Sequence, residues 1–191
     1  MKKELIIFDF FGVLCSEIAP VWFGQRYEKD KAEELKSRYF SDADLGNITM
    51  SKLLEKMSIE LDYDINVLQN ELNALICINF DMLSYIEKLR GKYEIALLSN
   101  APLEFLDDIL DKYKIRKYFD KIFISCHMRV AKPDIKAYLN CIESYPPGFE
   151  KIYMIDDNPK NLAPLADIGI KGILYKSVDS IINDKDLGKL L

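Results

Sequence analysis

Asp9 closes the apolar run Leu5-Ile6-Ile7-Phe8, and three more polar groups follow it in order: Ser99-Asn100, Lys132 before Pro133-Asp134, and Asp156-Asp157. Each group either ends an apolar run or opens a helix-like segment, so a parallel sheet would bring all four to one rim. Such a rim combines carboxylates, a hydroxyl and an ammonium, which is what a phosphate and a magnesium ion require. Two adjacent acids at a strand end raise each other's pKa, and a hard divalent cation with oxygen ligands relieves that repulsion.

The elements that must position these residues are legible from periodicity. Short apolar runs at 5–10, 95–98, 122–125, 152–155 and 172–175 are the expected strands. Between them, segments 81–89, 103–113, 133–144 and 161–167 carry apolar residues at three- and four-residue spacing, as helices on a sheet do. Pro102 and Pro133 are expected in first helical turns, and Gly91, Gly148 and Gly169 where helices stop or loops turn. Alternating strands and helices predict an α/β fold, a Rossmann-like five-stranded parallel sheet. Residues 15–78 break the alternation. Segments 51–57 and 66–72 read as amphipathic helices, with Thr49 or Ser51 and Asp64 as caps, so a small helical domain is inserted after the first strand. The expected division is a core of 1–14 and 80–191 and a helical cap of 15–79.

Composition bounds the function. The chain has 191 residues, 49% hydrophobic and 30% charged, enough for a substantial core. A net charge of −5 with no concentrated basic face argues against nucleic acid as a partner. The charge run 28–38 mixes both signs and reads as a solvated helix face. Cys15, Cys77, Cys126 and Cys141 lack metal-ligand spacing or a disulfide framework, which suits a reducing cytoplasm. Asp9 interrupts the N-terminal apolar stretch before signal-peptide length is reached, and no apolar run is long enough for a membrane span. A soluble, unprocessed protein is expected, with its oligomeric state open.

Together, the four groups and their order resemble the haloacid dehalogenase superfamily of aspartate-nucleophile hydrolases, in the branch with a helical cap after the first motif. The resemblance implies a magnesium-dependent phosphatase acting on a small phosphorylated metabolite. It makes Asp9 the nucleophile that forms an aspartyl phosphate. Ser99 and Lys132 hold the transferring phosphoryl group, and Asn100 extends the Ser99 motif toward phosphate or substrate. Asp9, the backbone carbonyl of Phe11 and Asp156 hold Mg²⁺, with Asp157 contacting the ion through water or orienting its shell. Asn161 falls at a polar position common after the fourth motif, where a helix cap is the competing role.

Phe11 departs from the pattern, because most phosphatases of the superfamily carry there a second Asp as general acid/base. Such a group contributes about 10²- to 10⁴-fold in rate. Three readings follow: a phosphatase for substrates with good leaving groups; a metal-independent 2-haloacid dehalogenase, whose relatives carry an aromatic residue at this position; and a non-catalytic protein that binds a phosphorylated ligand or a partner. Asp156-Asp157 argues against the second, since paired acids repel a carboxylate substrate. Arg129, where relatives often have Gly, adds to the motivation for the third. Trp22, Phe23, Arg26 and Tyr27 could face the site or fill the core of the insert, and His127 beside Cys126 reads as a loop residue.

Overall fold

The computed structural model of the protein describes residues 4–185 and Leu187. Five strands, β1 (Glu4–Phe8), β2 (Glu94–Ser99), β3 (Lys121–Ile124), β4 (Lys151–Asp156) and β5 (Lys171–Leu174), form one parallel sheet in the order β3-β2-β1-β4-β5. The sequence grows outward in both directions from β1, so the switch in strand order lies at β1, and ligands of open α/β sheets bind beyond the strand ends at such a point. Leu5, Ile6, Ile7 and Phe8 are fully buried on both faces, as a central parallel strand must be. Ile6 and Phe8 join one apolar cluster with α5 (Phe80–Leu89) and α6 (Phe105–Lys112), while Leu5 and Ile7 join the other with α8 (Ile135–Glu143).

Four helices lie between β1 and α5: α1 (Ala19–Gly24), α2 (Lys29–Asp44), α3 (Met50–Leu61) and α4 (Ile65–Ala74). They surround an apolar cluster of their own that includes Trp22, Phe23, Leu35, Tyr39, Leu53, Met57 and Leu68. Thr49 caps α3 by accepting from the Lys52 amide at 3.2 Å, and Asp64 caps α4 by accepting from Asn66 and Val67. The mixed-sign run 28–38 lies largely in α2, whose opposite face buries Ala32, Leu35, Tyr39, Phe40 and Ala43. The chain passes between core and insert where Cys15 bridges Ile78 and the Ser16 amide donates to Cys77 O at 3.0 Å. A second contact docks the insert on the short helix α7 (Ser125–Met128): Ser125 Oγ donates to Asp44 O at 2.5 Å and accepts from the Ala101 amide at 3.0 Å.

The two prolines expected in first helical turns stand outside their helices. Asp134 caps α8, accepting from the Lys136 amide at 2.9 Å, so Pro133 lies one residue before the cap, in a cis peptide with Lys132. Glu104, at φ 71, precedes α6 and separates it from Pro102. Segment 161–167 is split. Pro164, with no amide proton to donate, ends α9 (Pro159–Leu162), and a 3₁₀ turn at Leu165–Ile168 follows.

Candidate active site

The ends of β1, β2 and β4 meet the loop between α7 and α8 and bury four charged or polar side chains there. Asp9 directly follows β1, and its amide donates to Ile155 O on β4 at 2.9 Å. The next turn is closed by its own backbone, with the Leu14 and Cys15 amides donating to Phe10 O at 2.8 and 2.9 Å. Asp9 is 6% exposed, and its carboxylate accepts from the Phe10 amide at 2.6 Å. Lys132 reaches across the site from its loop, placing Nζ 2.8 Å from Asp9 Oδ1 and 2.7 Å from Asp156 Oδ2.

Asp156 ends β4 fully buried, and two further donors hold it: the Asn158 amide at 2.9 Å and Asn161 Nδ2 at 3.0 Å from both carboxylate oxygens. Asn161 is thus a site residue; the cap of α9 is Asn158, which accepts from the Lys160 amide at 3.0 Å. Behind it, the Tyr138 hydroxyl donates to Asn161 O at 2.6 Å. Asn100 borders the cleft and uses both ends of its amide on the Lys132 backbone, donating to the carbonyl at 2.8 Å and accepting from the N–H at 2.9 Å. That gives it a positioning role beside the expected contact with substrate. Ser99, the last residue of β2, has a fully buried hydroxyl with no hydrogen-bond partner among the described residues. A buried polar atom left this way is destabilising by about 1–3 kcal/mol unless a ligand engages it.

Burial pushes the Asp9 carboxyl well above the usual range; Lys132 opposes that push and Asp156 adds to it. For Lys132, burial works against the ammonium, but Asp9 and Asp156 outweigh it and hold its proton more firmly than usual. The Asp157 carboxyl is raised by burial and by Asp156 beside it. One ammonium therefore leaves the acids under-compensated. Ligand oxygens of Asp9, Asp156 and Asp157 lie within 4.8 Å of one another, a donor set of hard oxygens that suits Mg²⁺. Among the described residues no backbone amide donates to the Phe11 carbonyl. Gly12 explains how Asp157 fits: at φ +83, a Cβ there would come within 2.3 Å of Asp157 Cγ. Sequence reasoning gave this glycine no role, although its place within the turn that follows Asp9 is a usable signal.

The cleft above these residues has a volume of about 1130 Å³ and is bounded by core and insert together. Phe11 lies on its wall, stacked on Phe105 at 6.1 Å and packed against both apolar clusters. Of the four insert residues considered from sequence, Tyr27 borders the cleft. Trp22 and Phe23 are buried in the insert core, and Arg26 lies over the Trp22 ring at 4.2 Å and pairs with Glu71 at 2.6 Å. His127 pairs with Asp107 at 3.2 Å, away from the cleft lining. Arg129 ends α7 at φ 59 with an exposed side chain.

Residues 3–169 match the model of the haloacid dehalogenase-like hydrolase family. The chain belongs to that family. This haloacid dehalogenase-like hydrolase is 33% identical over 99 residues to flavin mononucleotide hydrolase 1 of Arabidopsis thaliana, a match covering 50% of this chain and 39% of that protein. Matches to the curated relatives span well under half of those proteins' own length. Among solved structures, the HAD family enzyme bt-2542 of Bacteroides thetaiotaomicron, in complex with magnesium and inorganic phosphate, superposes with a TM-score of 0.74 at 22% identity, covering 92% of this chain and 95% of that one. L-2-haloacid dehalogenase of Xanthobacter autotrophicus, with chloropropionic acid covalently bound, gives 0.64 at 16% identity, covering 100% and 85%. At these identities the likeness is one of fold. Among the described residues no helix is long and apolar enough to cross a membrane.

Proposed function

We propose that this haloacid dehalogenase-like hydrolase is a magnesium-dependent phosphatase of a small phosphorylated metabolite, working through an aspartyl phosphate on Asp9. The observation that carries the reading is the Asp9–Lys132–Asp156 bridge with Asp157 within ligand reach. The magnesium in the bt-2542 complex and the activity named for the Arabidopsis relative agree with it.

In this reading, an Asp9 oxygen attacks phosphorus while Lys132 and the Ser99 hydroxyl hold the equatorial oxygens and offset their developing charge. Asn100 and Asn161 keep Lys132 and Asp156 in place for that task. Asp9, Asp156, the Phe11 carbonyl and Asp157 would hold Mg²⁺, which neutralises phosphate charge when bound. Water then hydrolyses the aspartyl phosphate. The helices of 15–79 act as a cap over the core of 1–14 and 80–191, and the side chains they bring to the cleft select the leaving group. Four cysteines, none in a disulfide, fit a cytoplasmic setting.

Phe11 puts no proton donor at its position, so substrates whose leaving oxygen needs little protonation, such as aryl, anomeric or acyl phosphates, are those that this position can serve unaided. The test is a panel of phosphorylated metabolites and model esters with Mg²⁺ and with EDTA. Phosphate release that requires Mg²⁺ supports the reading, a steep aryl preference marks a cleft with no other proton donor, and release that EDTA leaves unchanged counts against it. Metal-free chloride release from 2-chloropropionate would replace it with dehalogenation. Thermal stabilisation by phosphorylated ligands without any turnover would replace it with a binding role.

A further inference from the structure

Beyond the acids of the metal cluster, Glu17, Glu28, Glu33 and Asp44 border the cleft. Glu28 and Glu33 are exposed, whereas Glu17 and Asp44 are half-buried. Glu17 lies on the segment that leaves the nucleophile turn, between Ser16, tied to Cys77, and the buried Ile18. Its carboxyl group makes no hydrogen bond or ion pair to a described residue, so nothing holds it away from the cleft. The charges that act on it are Asp157, Lys36, Asp156 and Lys132, and three of these four belong to the catalytic face. Asp44 responds only to Lys36, and its backbone is docked on Ser125. Glu17 lines the same cleft as Asp9, Phe11, Lys132 and Asp157, on the segment that follows Phe11 in the chain.

We propose that Glu17 is the general acid/base of this enzyme, taking from the insert side of the cleft the part that Phe11 cannot play. The proposal rests on the phosphatase reading above. In the first step Asp9 Oδ forms a bond to phosphorus and the bond from phosphorus to the leaving oxygen breaks. The electron pair goes to that oxygen, which takes the proton of the Glu17 carboxyl. In the second step the Glu17 carboxylate removes a proton from water as the water oxygen bonds to phosphorus. The phosphorus–Asp9 bond breaks, returning the Asp9 carboxylate, a protonated Glu17 and inorganic phosphate. Burial, with help from Asp157 and against Lys36 on α2, raises the Glu17 carboxyl to about 7, so near neutrality both forms are populated.

The test compares first-turnover and steady-state kinetics of the protein with Mg²⁺, using p-nitrophenyl phosphate and 2-(4-nitrophenyl)ethyl phosphate. Glu17→Gln keeps the side-chain volume and breaks no hydrogen bond. It is expected to lower the first turnover of the alkyl ester by about 10²- to 10⁴-fold. The nitrophenolate burst from the aryl ester stays close to wild type, and aspartyl phosphate then accumulates. Phe11→Asp added to Glu17→Gln restores alkyl turnover. In the wild type, alkyl turnover declines as pH rises past the Glu17 pKa, and that limb is absent in Glu17→Gln. An equal loss on both esters, as misfolding would give, or no loss on the alkyl ester overturns the assignment while leaving the phosphatase reading intact. Absence of wild-type phosphate release from both esters removes the phosphatase reading, and the assignment with it.

Discussion

Lys132→Met replaces an ammonium lying 2.8 Å from Asp9 and 2.7 Å from Asp156 with an apolar side chain of similar length. At an effective dielectric of about 20, each contact corresponds to a gross attraction of roughly 6 kcal/mol. The ammonium gives up several kcal/mol of hydration to be there, and a stranded carboxyl can take up a proton, so the net effect is far smaller. Removing one partner of a buried ion pair destabilises by about 3–5 kcal/mol, and that is the expected loss at pH 7.5 without metal. Its pH dependence follows from linkage. Without Lys132 the buried Asp9 carboxyl has its pKa raised further above its unfolded value near 4. The native state then binds more protons than the unfolded state between those limits, and stability falls as pH rises through them. The penalty should therefore shrink at pH 5. Added Mg²⁺ should also stabilise the variant more than the wild type, because a dication takes over part of the lost compensation. The assay is urea unfolding at pH 5 and 7.5, with EDTA and with Mg²⁺. A loss below about 1 kcal/mol at pH 7.5, or one equal at both pH values, would mean that water already screens these acids and that the electrostatic account of the site is wrong.

Asp9→Asn should reduce turnover by about 10⁴-fold or more and abolish the phosphorylated protein adduct in intact mass spectrometry; an adduct on another residue would move the nucleophile elsewhere. Gly12→Ala should destabilise the fold by about 1–2 kcal/mol and weaken Mg²⁺ binding, because its Cβ would meet the Asp157 carboxylate at a left-handed backbone position; a calorimetric titration matching wild type would contradict this. Asn161→Ala should weaken Mg²⁺ binding by about 10- to 100-fold, since Asp156 loses the amide that orients both its oxygens; unchanged affinity would show that the Asn158 amide and Lys132 suffice. Glu17→Gln should stabilise the protein by about 2–3 kcal/mol at pH 8 and hardly at all at pH 4. The raised carboxyl destabilises the native state only as pH climbs from 4.5 to about 7, so a variant stabilised equally at both pH values would argue against that shift.

The sequence by itself determined the sheet and the order of the chemistry on it. Apolar runs of strand length that end in Asp9, Ser99 and Asp156, alternating with amphipathic helices, pack as parallel strands covered on both faces, and those three side chains emerge at one rim. Capping was equally local, and Thr49 and Asp64 begin their helices with hydrogen bonds to residues two or three positions ahead. Local signals misled where a proline was read as a helix start, because Asp134 offers the α8 amides a side-chain acceptor that Pro133 lacks.

Only the tertiary structure decided which polar residue serves which. Asn100 is 32 positions from the Lys132 backbone it clamps, and no periodicity connects them. Asn161 stood between cap and site until Asn158 took the cap and left its amide for Asp156. Glu17 and Asp44 of the insert border the same cleft as Phe105 of α6, a matter of how two apolar clusters pack and not of any motif. Charge compensation is likewise three-dimensional. A lysine and three aspartates become a site when burial removes the water that would otherwise screen them.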